Sequence, residues 1–181
     1  MRVLDVGCGP GRHAIELATR GIDCHGIDIS QRFVDIARAS SVAGATFERM
    51  DARHMTFDAE FDAVICLCQG AFGLMTANGN DVDVLMGIRR ALKPGGRLAL
   101  SAFSSYFAVK YHEAADFDAD RGIAHERTEI RNEAGQPTET DLWTACYTPR
   151  ELRHRTRDGS RAAGGRLPGF RQPQGQRHDE G

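Results

Sequence analysis

Three aspartates stand where carboxylates could hold a polar ligand. Asp5 follows the apolar pair Val3 and Leu4 and runs into the turn Gly7-Cys8-Gly9-Pro10-Gly11; Asp28 ends the run from Ile22 to Ile27; Asp51 follows Met50 and precedes Ala52. The glycines permit a tight turn and close approach of backbone N–H groups to a ligand. In the pattern Asp-x-Gly-x-Gly-x-Gly, the acid inside the strand can orient the loop and accept hydrogen bonds from an ammonium group. A dinucleotide fingerprint starting at Gly7 requires glycine at position 12, where Arg12 stands. An amino-acid-bearing ligand therefore suits the turn better than a pyrophosphate. Asp28 is placed to accept both hydroxyls of a ribose, each charge-assisted bond contributing roughly 1.5–3 kcal/mol when partly desolvated. Asp51 could accept from an adenine amino group. Each acid alone has an ordinary role at a strand end or helix cap, whereas three in succession at strand ends are hard to dismiss.

The elements that must position them alternate in type. Short apolar runs at residues 3–6 and 22–27 are each followed by helical spacing, Ala14 to Thr19 and then Phe33, Ile36 and Ala37. A third strand is predicted at 45–50, a fourth at 61–68, then a helix with Val84, Leu85, Ile88 and Leu92 on one face. Lys93-Pro94-Gly95-Gly96 stops that helix before a fifth strand at 97–103. This is the rhythm of βαβ units, whose right-handed crossovers place the carboxyl ends of the strands on one rim. Beyond Phe103, residues 104–121 are mixed and aromatic-containing. Residues 123–132 and 138–147 then flank the turn Glu133-Ala134-Gly135-Gln136-Pro137 and predict an antiparallel hairpin.

Composition narrows the function classes. With 41% hydrophobic and 27% charged residues in 181, one soluble domain is the default. A net charge of −2 offers no basic field for a long nucleic-acid contact. The five cysteines follow no zinc spacing and read as reduced and non-metal; Cys66 and Cys68, alternate residues of one strand, read as packing rather than as a pair or a soft-metal site. No stretch approaches the roughly 20 apolar residues that span a bilayer, and Met1 runs directly into a strand, so a cytoplasmic chain, neither exported nor membrane-embedded, is expected.

From Glu151 the composition breaks: seven arginines, six glycines and no lysine to the end. Thr148 and Pro149 have the form of a helix cap and first turn, yet no apolar periodicity follows. Residues 151–181 are therefore expected to be a disordered Arg/Gly-rich tail, with out-of-frame translation of GC-rich DNA as its origin and a genuine basic tail as the alternative.

The segments VLDVGCGPGRHAIELATRG, GIDIS, ERMDARHM, FDAVICLCQGAFGL and ALKPGGRLALSAF resemble, in order and spacing, the class I S-adenosylmethionine-dependent methyltransferases. The resemblance covers residues 2–103 with specific motifs, more loosely the hairpin to Arg150, and not the tail. It implies an α/β, doubly wound, mostly parallel Rossmann-like sheet with a β-hairpin after strand five. The implied domain is 1–150, a cofactor-binding core at 1–103 with lid and hairpin at 104–150. It implies methyl transfer from S-adenosylmethionine to a small molecule, with Asp5, Gly7, Cys8 and Gly9 holding the methionine part and Asp28 the ribose. Ile29 would face the adenine, Asp51 with Ala52 its edge, while Cys68 and Gln69 would lie beside the methyl group and acceptor. Members usually carry a helix before the first strand and close the sheet with a final helix and an antiparallel strand pair. Here Met1 nearly begins the strand, the 51–60 connection is short for a crossover, and the tail predicts an unpaired sheet edge.

Displacement at a sulfonium can be catalysed largely by positioning in a dry pocket, so no catalytic residue is assigned. If the acceptor must lose a proton, His13, His54, Tyr106 and His112 are the candidates. Phe72, Phe103 and Phe107 could line a pocket or simply pack the core. The rival readings are a non-catalytic remnant of such an enzyme and, less well matched because of Arg12, a nicotinamide-dependent dehydrogenase.

Overall fold

The computed structural model describes residues 1–68, 70–75, 81–111, 116–131 and 135–161. In the first part of the chain β1 (Arg2–Val6), α1 (Arg12–Thr19), β2 (Asp23–Asp28), α2 (Gln31–Ala39) and β3 (Ala45–Arg49) alternate as the periodicity predicts. A single 3-10 turn (Ala52–His54) replaces the next crossover helix before β4 (Phe61–Cys66). There follow β5 (Leu74–Met75), α3 (Val82–Ala91), β6 (Leu92–Leu100), β7 (Phe103–Ser104) and α4 (Ser105–Tyr111), then β8 (Asp116–Asp118), β9 (Ile123–Arg131), β10 (Pro137–Tyr147) and α5 (Pro149–Arg161).

The first sheet is parallel throughout, in the order β3-β2-β1-β4-β6. Leu4 and Val6 point to one face, where Val64, Cys66, Phe72 and the Val84 and Ile88 side of α3 meet them. Val3 points to the other, toward Ala14 and Ala18 of α1 and Val34 and Ala37 of α2. Helices on both faces leave β1 buried over four consecutive residues, the signature of a central parallel strand. This is the doubly wound architecture expected.

Several boundaries differ from the sequence reading. β4 ends at Cys66, not 68. Leu92 leaves the helix in an extended conformation, and β6 begins there, with residues 93–96 accommodated as a bulge between the Phe61–Leu92 and Ala63–Arg97 pairs. Among the described residues no strand pairs with the outer edge of β6.

The hairpin is present, β9 pairing with β10 from Ile123–Ala145 to Arg131–Pro137. It is the centre of a larger antiparallel sheet, β5-β10-β9-β8, with β7 pairing parallel to the end of β10. Glu133 and Ala134 of its turn lie outside the described residues, as does the tail from residue 162.

The expectation of disorder from residue 151 is corrected for 151–161, which are helical. The Thr148 side chain caps α5 by accepting the Glu151 N–H at 3.2 Å, and Leu152 packs on the main core. One partly buried leucine and a good cap sufficed where an apolar stripe was sought.

Candidate functional site

β1 and β2 pair with Val6 opposite Ile27, and β2 with β3 with Asp28 opposite Arg49. Asp5, Asp28 and Asp51 are thereby carried to the same end of adjacent strands, each by its own strand. The turn leaving β1 is left-handed at Gly7, Gly9 and Gly11 (φ 71°, 54° and 82°). The Phe47 ring seals it from the side: a Cβ on Gly11 would lie 2.7 Å from that ring.

The loop amides point inward. Gly7 and Cys8 both donate to the Ile27 carbonyl at 2.9 and 3.0 Å, Gly11 donates to the Cys8 carbonyl, and Gly9 donates to Asp28 Oδ2 at 2.8 Å. The loop is not an open nest for a pyrophosphate, and the anticipated presentation of these N–H groups to a ligand is corrected to that extent. The space beside Gly9 is open, with nothing within 4 Å of a Cβ built there.

Asp5 is 2% exposed. Burial raises its carboxyl to about 7, against the pull of the Ala14 amide and with a further push from Asp28. Its Oδ2 has no hydrogen-bond partner among the described residues. A buried acceptor left empty is costly and calls for a donor. Burial also pushes the neighbouring Cys8 and Cys24 thiols to about 12, so both are held as neutral packing groups.

Asp28 is buried and already useful to the fold: Oδ1 accepts the Ser30 N–H and Oδ2 the Gly9 N–H, both at 2.8 Å. A carboxylate has about four lone-pair sites, so capacity for two hydroxyls remains. Next to it Ile29 is 59% exposed, an apolar side chain held in the open at the rim.

Asp51 has a structural occupation that the sequence left open. It accepts the Arg53 amide at 2.9 Å, as cap of the 3-10 turn, and pairs with the Arg53 guanidinium at 2.6 Å. The Arg53 side-chain hydrogen bonds hold its carboxyl at about 2. Ala52 is buried beside it.

At the end of β4, Cys66 is buried and its thiol pushed up to about 11, while Cys68 is exposed in a left-handed conformation, φ 57°, beyond the strand. Cys68 is thus not a packing residue, unlike Cys66. Gln69 lies outside the described residues.

Of the candidate bases, His13 and Tyr106 are exposed, His54 is exposed with Nδ1 3.4 Å from Asp51 Oδ2, and His112 lies outside the described residues. Phe72 is a core residue; Phe103 packs with Ala108, Ala124 and Cys146; Phe107 is exposed on α4. Among the described residues no His, Cys, Asp and Glu group has the arrangement of a metal site.

Two polar pairs went unread in the sequence. Tyr147 donates its hydroxyl to the buried carboxylate of Asp81, which burial raises above its ordinary range. His125 Nε2 lies 2.9 Å from Asp141 Oδ1, its ring stacked on Trp143 at 4.5 Å. The second follows from the hairpin register once the turn is placed; the first joins residues 66 apart in sequence and carries no local signal.

A model of the methyltransferase domain family matches residues 3–96. The YqeM protein of Bacillus subtilis is 34% identical over 128 residues, 68% of this chain and 51% of that one. The demethylmenaquinone methyltransferase of Deinococcus radiodurans is 40% identical over 111 residues, 56% of this chain and 43% of that one. The chain thus spans about half the length of the curated relatives it matches. A SAM-dependent methyltransferase structure from Methanosarcina mazei shares the fold, with a TM-score of 0.63 at 24% identity, covering 87% of this chain and 78% of that one. Among the described residues no helix is long and apolar enough to cross a membrane.

Proposed function

This chain belongs to the methyltransferase domain family, and we propose that it binds S-adenosylmethionine and serves methyl transfer to a small-molecule acceptor in the cytoplasm. The observation that carries this reading is the row of three strand-end carboxylates with a buried, unpartnered oxygen on the first. The residues fit the cofactor. Asp5 Oδ2 is a buried acceptor without a partner among the described residues and would take the ammonium group, while the space at Gly9 is open and Gly7 and Cys8 would shape the floor for the methionine part. Asp28 would take the ribose hydroxyls, exposed Ile29 would cover an adenine face, and Asp51 with Ala52 would meet its edge. Cys68, exposed beyond β4, would border the reacting end.

When bound, the cofactor supplies a methyl group made electrophilic by its sulfonium. The protein's part is to fix that group's direction and keep the approach dry, which can supply much of the acceleration. Asp5 ionises more readily when an ammonium group faces it, so uptake below about pH 7 releases a proton from this carboxyl.

Calorimetric titration of S-adenosylmethionine, with NAD as comparison and circular dichroism to establish folding, tests the reading. Selective binding with proton release below pH 7 is expected. A folded chain that binds neither, or NAD alone, overturns it.

A further inference from the structure

The segment leaving β4 is pressed onto the glycine-rich turn. A Cβ built on Gly7 would lie 2.5 Å from the Gly70 carbonyl carbon and 2.9 Å from the Ala71 nitrogen, and one built on Gly70 would collide with the Gly7 carbonyl oxygen. The two backbones touch, and each position has room for hydrogen alone. From its other end the same segment is gripped by the antiparallel sheet. Phe72, fully buried, stacks on Tyr147 with ring centroids 5.1 Å apart. Tyr147 is fixed by its hydrogen bond to Asp81. The Ala145 N–H donates to the Gly73 carbonyl at 2.8 Å, and Leu74 and Met75 pair with Thr144 and Trp143.

We propose that residues 70–75 form a strap through which β10 sets the shape of the cofactor loop, with Gly70 and Tyr147 as positioning residues for the methionine end. The proposal rests on the cofactor reading above. Its physical basis is the looseness of the turn itself: three glycines in left-handed conformation within five residues lose much backbone freedom when they order. A contact that holds Gly7 beforehand spares the ligand that cost, and preorganisation of this kind appears as affinity. Ionic or polar contact with the ligand is not required of either residue.

The test compares the parent chain with Tyr147→Phe, Gly70→Ala and a control, Val3→Ala, whose cavity lies at the opposite end of β1. S-adenosylhomocysteine is titrated by calorimetry, melting is followed by circular dichroism, and hydrogen exchange is read at the amides of residues 7–11. Val3→Ala should melt lower with parental affinity. Tyr147→Phe and Gly70→Ala, where folded, should bind about tenfold more weakly or worse, and Tyr147→Phe should exchange faster at residues 7–11. Parental affinity and parental exchange in folded Tyr147→Phe overturn the strap alone. A folded parent that binds no S-adenosylhomocysteine overturns the cofactor reading, and the positioning role with it.

Discussion

The parallel and antiparallel sheets of this chain are held in place by different means. In the parallel sheet β1 is buried over four consecutive residues, helices cover both faces, and the strands run in matched register. In the antiparallel sheet β9 and β10 pair over nine positions, yet only the last four residues of β10 are buried. The rest is dressed with surface pairs such as His125 with Asp141 and Arg127 with Asp141. Beside it, α4 leaves Tyr106, Phe107, Val109 and Tyr111 exposed. One region is stabilised by extensive burial; the other has a small apolar cluster, Ala108, Ala124 and Cys146 with Phe103 and Phe117, and is anchored on the first through Ala145 and Tyr147. The glycine-rich turn leaves the parallel sheet, and the segment that touches it is anchored on both sheets.

The largest expected effect separates these two kinds of stabilisation. Phe61→Ala empties a fully buried site in β4 and should cost about 3–5 kcal/mol in urea unfolding. Ile130→Ala, about half exposed in β9, should change stability by no more than about 0.5 kcal/mol. Comparable losses at the two positions would mean that the antiparallel sheet draws more from burial than its small cluster of Ala108, Ala124 and Cys146 supplies.

Next comes Asp5. Its folded carboxyl titrates near 7 against 3.8 when free, so the folded chain holds a proton that the unfolded chain releases between those values. Stability from this group is full below about pH 4, falls as pH rises across the window, and is gone above about pH 7. Asp5→Asn should therefore match the parent near pH 4 and exceed it at pH 8 by on the order of a few kcal/mol, measured as unfolding free energy against pH. The same variant should bind S-adenosylmethionine more weakly. A variant with neither effect would show that the orphaned oxygen has no price and no use.

Asp28→Ala should weaken cofactor affinity at least about tenfold, some 1.4 kcal/mol, because it removes the proposed ribose acceptor and also frees the Gly9 amide. Unchanged affinity in a folded variant refutes the ribose assignment.

The smallest effect is at the edge of the site. The Asp51–Arg53 pair is partly exposed at the surface, so Arg53→Ala should cost less than about 1 kcal/mol. Its contribution is present above pH 3.8 and lost as pH falls toward 2, the range in which the Asp51 carboxyl is held down. If Asp51 serves the adenine, affinity should hold or rise in this variant; a marked loss would make Arg53 the binding residue instead.

Much of the parallel region was legible because its signals are local. The Asp5 to Gly11 turn, the apolar runs and the Lys93 to Gly96 break each declare an element within a few residues. The short link after Asp51 was also readable, as a gap too small for a helix. What misled was locality itself. α5 lacks an apolar stripe yet forms, since Thr148 caps it and Leu152 meets a core assembled from distant strands. Cys68 reads as strand by alternation but lies past the last sheet pairing, because β6 pairs with β4 only as far as Cys66.

By itself the amino-acid order determined which residues could bind, and which strand would carry each: acid and glycine types, their succession, and the periodicities that place strand ends on one rim. Only the tertiary structure decided how those residues are occupied. It buried Asp5 with an oxygen to spare, divided Asp28 between its neighbours, paired Asp51 with Arg53, and brought Gly70 against Gly7 and Tyr147 against Asp81. Burial, desolvation and backbone contact depend on what arrives from elsewhere in the chain, and no local pattern records that.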